Sequence, residues 1–220
     1  MSEVRRLVLF SGMGADSRLT RPVRVRGVGQ EFPEHLEPEA GEDLPRYAAR
    51  VAERWGIGPA DVVGGTSFGG MLAGEISAQR RVAGLVLLGS SIRPERFPRA
   101  YGWVERLCRF LPDPLIGVRS FRLLVRRRFA PMTPEGERCL LEMAAACPVS
   151  RLRAFGRMIV GWKGVGTPEC PILSVHGRLD RIIPPRCAEP GVVLEDAGHA
   201  FTLTHAERTC RAVGDFLRLP

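Results

Sequence analysis

The stretch Asp61-Val62-Val63-Gly64-Gly65-Thr66-Ser67-Phe68-Gly69-Gly70-Met71-Leu72-Ala73 constrains this chain more than any other. A short apolar run ends in a serine with glycine two residues to either side, and a helical pattern begins at once. Gly65-Thr66-Ser67-Phe68-Gly69 has the G-x-S-x-G form, in which a serine sits on a strained turn between a buried strand and a helix. Such a turn lifts the hydroxyl clear of its own backbone and leaves no room for side chains two residues away. It also aims the first helical N–H groups at negative charge developing in front of them. The competing reading of Ser67 is an ordinary helix cap. Glycine is common here, at 25 of 220 residues, so the motif gains weight only from the strand before it and the small-sided helix after it.

Taken in order, the chain alternates buried strands with helices. Leu7 to Phe10 is continuously apolar and predicts a first strand. The glycine-rich loop Ser11-Gly12-Met13-Gly14-Ala15-Asp16-Ser17 follows, suited either to close approach of a ligand or to a plain turn capped by Asp16 or Ser17. Pro22 to Gly27 alternates apolar and basic residues and predicts a second strand at a sheet edge, with a loop from Gly29 to Gly41. From Glu42 a helix places Leu44, Tyr47, Ala48, Val51, Ala52 and Trp55 on one face and stops at Gly56. After the serine turn, Met71, Leu72, Ala73, Ile76, Ser77 and Ala78 form a narrow helix, and Val82 to Leu88 supplies another buried strand. This alternation predicts a parallel α/β sheet rather than a sandwich.

From Ile92 to Pro168 the pattern changes: no buried strand is evident. Helices are expected over Arg99–Phe110, Gly117–Arg128, Pro134–Ala146 and Val149–Val160, punctuated by prolines. The sheet resumes at Pro171 to His176, a short strand spans Gly191 to Leu194, and a last helix covers Ala206 to Leu217. The expected organisation is thus a core of residues 1–91 and 169–220, with 92–168 as an all-helical lid over the strand ends.

Composition excludes several classes of function. No apolar run approaches the 18 or so residues of a membrane span, and Leu7 to Phe10 is too short for a secretory signal. The six cysteines, Cys108, Cys139, Cys147, Cys170, Cys187 and Cys210, form no C-x-x-C pair and no zinc-site spacing, which fits reduced thiols in a cytoplasmic protein. Neither metal nor organic cofactor is implied. The formal net charge of +8 is concentrated in residues 93–168, where fourteen arginines and one lysine face six acids. Such an excess either solvates the helices or attracts an anionic partner. Without aromatic interleaving or a helix-turn-helix signature, nucleic acid is not the expected partner.

Ser67, Asp180 and His199 fall in that order, each just beyond an expected strand. A serine hydroxyl becomes a nucleophile when an imidazole takes its proton, and a carboxylate fixes the imidazole's tautomer. Asp196, three residues before His199, belongs to the same local loop and is the weaker candidate for the acid. His176 is expected to end a strand with its ring satisfied by a backbone group, His205 to begin or cap the last helix, and His35 to lie in a polar loop. Glu75 and Glu195 carry no specific claim.

In these segments the chain resembles the α/β-hydrolase fold family. Gly65 to Gly70 matches the family's nucleophile elbow, His176-Gly177-Arg178-Leu179-Asp180-Arg181-Ile182-Ile183-Pro184 its acid segment, and Gly198-His199 its histidine segment. Phe10-Ser11-Gly12-Met13-Gly14 resembles the loop where many members carry His-Gly. The resemblance implies a mostly parallel sheet flanked by helices, Ser67, Asp180 and His199 as catalytic residues, and an oxyanion hole from the backbone N–H groups of Phe68 and of Gly12 or Met13. It implies a serine hydrolase acting on a small-molecule carboxylic ester or thioester; separately, the arginine excess of residues 93–168 would steer an anionic substrate inward if it lines the entrance. An acyltransferase, lyase or perhydrolase using the same residues is the alternative, followed by a noncatalytic binding protein. No feature of the sequence specifies an oligomeric state.

Overall fold

A strand that is apolar at every position has to be covered on both faces. The computed structural model describes residues 6–97 and 125–218. In it β1 (Arg6–Phe10), β3 (Asp61–Thr66) and β4 (Gly84–Leu88) are buried along their whole length. With β2 (Gly29–Glu31), β5 (Ile172–Gly177) and β6 (Val192–Leu194) they form a six-stranded, all-parallel sheet of order β2-β1-β3-β4-β5-β6. On one face Val8 and Phe10 join an apolar cluster with Leu44, Tyr47 and Val51 of α1 (Leu44–Arg54) and Phe68, Leu72 and Ile76 of α2 (Phe68–Gln79). Leu7 and Leu9 join the other cluster, with Val62, Val86, Leu88, Phe201 and Val213.

The second strand is not where the alternation places it. Residues 22–27 are irregular, and the edge strand is Gly29–Glu31, inside the expected loop. Val23 is fully buried and Val25 packs on the same cluster as Val213, so one-sided packing of a loop reproduces the period of a strand. The Gln30 side chain stands in for a strand partner: Nε2 donates to Val23 O and Val25 N donates to Oε1, each at 3.2 Å.

Within residues 92–168, the helix expected over Arg99–Phe110 lies outside the described residues. So does most of that expected over Gly117–Arg128, apart from a π-helical turn at Val125–Phe129. The other two are present as α3 (Pro134–Ala146) and α4 (Val149–Gly161). Thr133 caps α3 by accepting from Gly136 N, with Pro134 in its first turn. Phe155 and Met158 of α4, with Trp162 just beyond it, enter the α1–α2 cluster, and Trp162 Nε1 donates to the buried Glu75 of α2 at 2.7 Å. The chain closes with α5 (Phe201–Thr204) and α6 (Ala206–Leu217). Among the described residues no helix is long and apolar enough to cross a membrane.

At the opposite end of the sheet from Ser67, Arg6 ties β1 to three neighbours. Its Nε donates to Asp61 Oδ1 at 2.9 Å, Nη1 to Glu31 Oε1 at 2.6 Å, and Nη2 to the Trp55 carbonyl that ends α1, also at 2.6 Å. Asp61 is buried, so losing the guanidinium removes two charge-assisted hydrogen bonds where water replaces them poorly, although Gly58 N still donates to Oδ2 at 2.9 Å. We predict that Arg6→Met lowers the free energy of unfolding by about 3–5 kcal/mol, read from urea denaturation.

Candidate active site

In an open parallel sheet the crevice lies where successive connections leave in opposite directions. Here β2 lies on one side of β1 and β3 on the other, so the loops after β1 and β3 face each other. Ser67 follows β3 directly, at φ 53° and ψ −118°. Its N–H donates to Leu88 O at 3.0 Å and its carbonyl accepts from Ser90 Oγ at 2.6 Å, clamping the turn to the end of β4. The two motif glycines are demanded by close approach. A Cβ on Gly65 would lie 2.5 Å from Phe10 O, and one on Gly69 would lie 2.5 Å from Ser11 O. Ser67 makes no side-chain capping bond to α2, so the cap reading has no support in the geometry.

Gly12 and Met13 stand in the loop after β1. A Cβ on Gly12 would be 3.4 Å from Ser67 Cβ, so this loop lies against the serine, and Met13 is 43% exposed beside it. Phe68 is the first residue of α2, where N–H groups lack intrahelical acceptors.

Asp180 and His199 meet. After β5 the chain folds back so that Asp180 Oδ1 accepts from Ile182 N at 2.8 Å and Ile183 N at 2.9 Å. Oδ2 accepts from His199 Nδ1 at 2.7 Å, with the two residues 3% and 4% exposed. That bond assigns the proton to Nδ1 and leaves Nε2 as the basic nitrogen. A Cβ on Gly89, just past β4, would be 3.5 Å from both Asp180 Oδ2 and His199 O, so the acid and histidine segments meet at the strand end to which Ser67 is clamped. The Phe129 ring stands edge-on to the His199 ring at 5.3 Å. Among the described residues no hydrogen bond joins His199 to Ser67 Oγ. In a substrate-free site such bonds are commonly long and tighten on binding.

The remaining histidines and acids are accounted for. His176 Nε2 donates to Ile183 O at 2.7 Å, as expected of a strand-end histidine, and lies 3.5 Å from Asp180 Oδ2. Burial holds its pKa below the ordinary range, against the pull of Asp180. Asp196 pairs with Arg208 and His205 at the surface, and Glu195 pairs with Arg178. His205 stands at the start of α6 without a side-chain cap. Among the described residues no three His, Cys, Asp or Glu side chains gather as a metal-binding group.

His35 lies in the loop between β2 and α1, as expected, but its ring turns inward, which sequence reasoning missed: it packs against Phe155 at 4.9 Å and Phe68 at 5.6 Å, and Nε2 donates to Ser11 O at 3.0 Å. Pro33-Glu34-His35-Leu36 has no periodicity, so nothing local signals this contact.

A parallel α/β sheet with a serine in left-handed conformation after its third strand, and a carboxylate-bound histidine at the same edge, defines a class of proteins. The chain belongs to the alpha/beta hydrolase family, whose profile matches residues 8–212. It is similar in fold to a thermophilic esterase from Thermogutta terrifontis, with a TM-score of 0.76 and 22% identity over 97% of this chain and 89% of that one. It is also similar to the enol-lactonase from Burkholderia xenovorans, with a TM-score of 0.77 and 16% identity over 98% and 92% of the two chains. A third is the bromoperoxidase from Bacillus anthracis, with a TM-score of 0.74 and 15% identity over 98% and 92%. Among curated proteins none matches the chain.

The surroundings of His35 set a pH dependence. Burial pushes its pKa down to about 4, with Arg151 acting in the same direction and the Ser11 carbonyl and Glu34 opposing. Between about pH 6.5 and 4 the unfolded chain therefore binds a proton that the native state refuses, and stability falls as pH drops through that window. We predict that His35→Gln removes a slope worth up to about 3 kcal/mol, seen by comparing urea unfolding of the two proteins at pH 7 and pH 4.

Proposed function

We propose that this chain is a serine hydrolase that cleaves a carboxylic ester or thioester of a small molecule through an acyl-enzyme. The observation that carries the reading is the buried 2.7 Å hydrogen bond from His199 Nδ1 to Asp180, at the sheet edge that holds Ser67 in its strained turn. His199 Nε2 takes the hydroxyl proton as Ser67 Oγ attacks the acyl carbon. The carbonyl oxygen, now an anion, is received by the N–H of Phe68 and that of Gly12 or Met13, each such donor contributing roughly 3 kcal/mol to the transition state. His199 then gives its proton to the departing alcohol or thiol. Water enters, loses a proton to Nε2 and attacks the acyl carbon, after which Ser67 recovers its proton and the acid departs. Asp180 holds the imidazole tautomer throughout.

The segment 92–168, which carries α3 and α4 among its described residues, acts in this reading as a cover that selects the acyl group. Phe129 lies against His199 and Phe155 against Phe68. Of the segment's other large apolar residues, Met132, Met158, Ile159 and Trp162 are described, whereas Trp103, Leu107, Phe110, Leu115, Ile116, Phe121 and Leu124 lie outside the described residues. The arginines of the turn beside His199 favour an anionic substrate. Arg127 and Arg128 are exposed, and Arg128 Nη1 approaches Arg181 O at 3.4 Å, one residue beyond Asp180.

Two experiments test these statements. A fluorophosphonate probe labels the wild type, and Ser67→Ala abolishes both labelling and 4-nitrophenyl ester hydrolysis. Asp180→Asn keeps an oxygen for the Ile182 and Ile183 N–H groups but turns a donor toward His199, lowering kcat by about 10⁴-fold. Wild-type protein that is neither labelled nor active on esters and thioesters sinks the hydrolase reading. For the arginines, kcat/KM for an ester with a terminal carboxylate falls with added salt while that of its neutral analogue stays level. Parallel salt profiles for the two esters would remove the anionic preference.

A further inference from the structure

We propose that His35 is a positioning residue of the oxyanion hole, its ring fixing the loop after β1 through the Ser11 carbonyl while packing on Phe68. This rests on the serine-hydrolase reading. The two sides of the hole come from distant segments, residues 11–13 and the head of α2, and His35 touches both.

A carbonyl can only accept, so the 3.0 Å contact to Ser11 O places the neutral ring's proton on Nε2. The Ser11–Gly12 peptide is planar, and fixing the direction of Ser11 O fixes that of the Gly12 N–H on the same plane. The orientation passes forward to Met13, because Ala15 N donates to Gly12 O at 3.2 Å and closes the turn around it. Ser11 is held at its hydroxyl as well, which donates to Asp16 O at 2.6 Å. The segment carrying His35 grips the far end of the same loop, since Glu34 Oε1 accepts from Ser17 N at 3.2 Å. One short stretch, Glu34-His35, thus anchors the loop at Ser11 and at Ser17.

The ring itself has little freedom. It contacts Phe155 edge-on at 4.9 Å, and Phe155 stacks on Phe68 at 4.5 Å. The Tyr47 hydroxyl lies 3.4 Å from His35 Nδ1 and donates to Leu36 O at 3.1 Å. A histidine present only to fill the core would be satisfied by any carbonyl. This one is bonded to the loop that faces Ser67 and packed on the residue that follows it.

The test compares wild type with His35→Leu, which keeps bulk but loses the donor, and His35→Gln, which restores a side-chain N–H. Active sites are counted by fluorophosphonate stoichiometry, and kcat and KM are measured on 4-nitrophenyl butyrate. We expect His35→Leu to lower kcat per labelled site about 30-fold with KM within about twofold, and His35→Gln to recover most of the loss, because a misdirected donor forfeits part of the 10²–10³-fold that removing one costs. Long-range ¹H–¹⁵N correlation on the wild type, which needs no variant to fold, is expected to show His35 protonated at Nε2 at neutral pH. The proposal is overturned if kcat per labelled site in His35→Leu stays within about threefold of wild type, or if the proton lies on Nδ1. A wild type that takes no label would instead overturn the hydrolase reading, and this inference with it.

Discussion

Everything at this sheet edge depends on a backbone conformation that an L-residue avoids. At φ 53° and ψ −118°, Ser67 carries roughly 1–3 kcal/mol of strain, which persists only where the surroundings determine it several times over. They do so here through the bond to Leu88 O of β4, the bond from the Ser90 hydroxyl to Ser67 O and the contact with Gly12, while the crowding of Gly65 and Gly69 against the carbonyls of Phe10 and Ser11 leaves the turn no other way to pack. The same crowding explains the two glycines that follow Phe68 in α2: a Cβ on Gly70 would fall 2.5 Å from the Ser90 side chain that bonds Ser67 O. Strain and close packing are one constraint, and it fixes where Ser67, the N-terminus of α2 and the loop after β1 stand relative to one another.

The parts legible in sequence were those whose cause is local. Continuous apolar runs announce strands covered on both faces, and the turn chemistry of Gly65 to Gly69 announces an elbow. Thr133-Pro134 announces the start of α3, found at the expected residue. The edge strand was misread because the period of Pro22 to Gly27 comes from a loop packed on α6, with a glutamine side chain supplying the partner that a strand would have had. The contacts of His35, rightly placed in a loop, were missed for a related reason. Its partners, Ser11, Phe68 and Phe155, are 24, 33 and 120 residues away in sequence, and no window of local pattern contains them.

Asp180 shows how a buried carboxylate is satisfied by hydrogen bonds. Two backbone N–H groups donate to Oδ1 and an imidazole N–H donates to Oδ2, so each oxygen has a partner in place of water. His176 reinforces the arrangement from below. By giving its Nε2–H to Ile183 O it pins the turn whose N–H groups hold Oδ1, and it stays neutral because burial outweighs the attraction of the nearby carboxylate. The acid's orientation therefore depends on a second histidine that has no contact with any reacting atom.

The apolar stack of Phe68, Phe155 and His35 joins elements that would otherwise behave independently. Phe155 belongs to the helical segment, Phe68 heads the nucleophile helix, and His35 holds the first loop. Interiors packed at this density do not deform continuously, so a displacement of α4 has to be accommodated by the two rings it presses on. Under the proposed function, a segment that selects the acyl group would thereby act on the geometry of the loop after β1 as well as on the space available to substrate. On this account substitutions in α4 change kcat along with KM, a pattern that a passive cover over a rigid site would not produce.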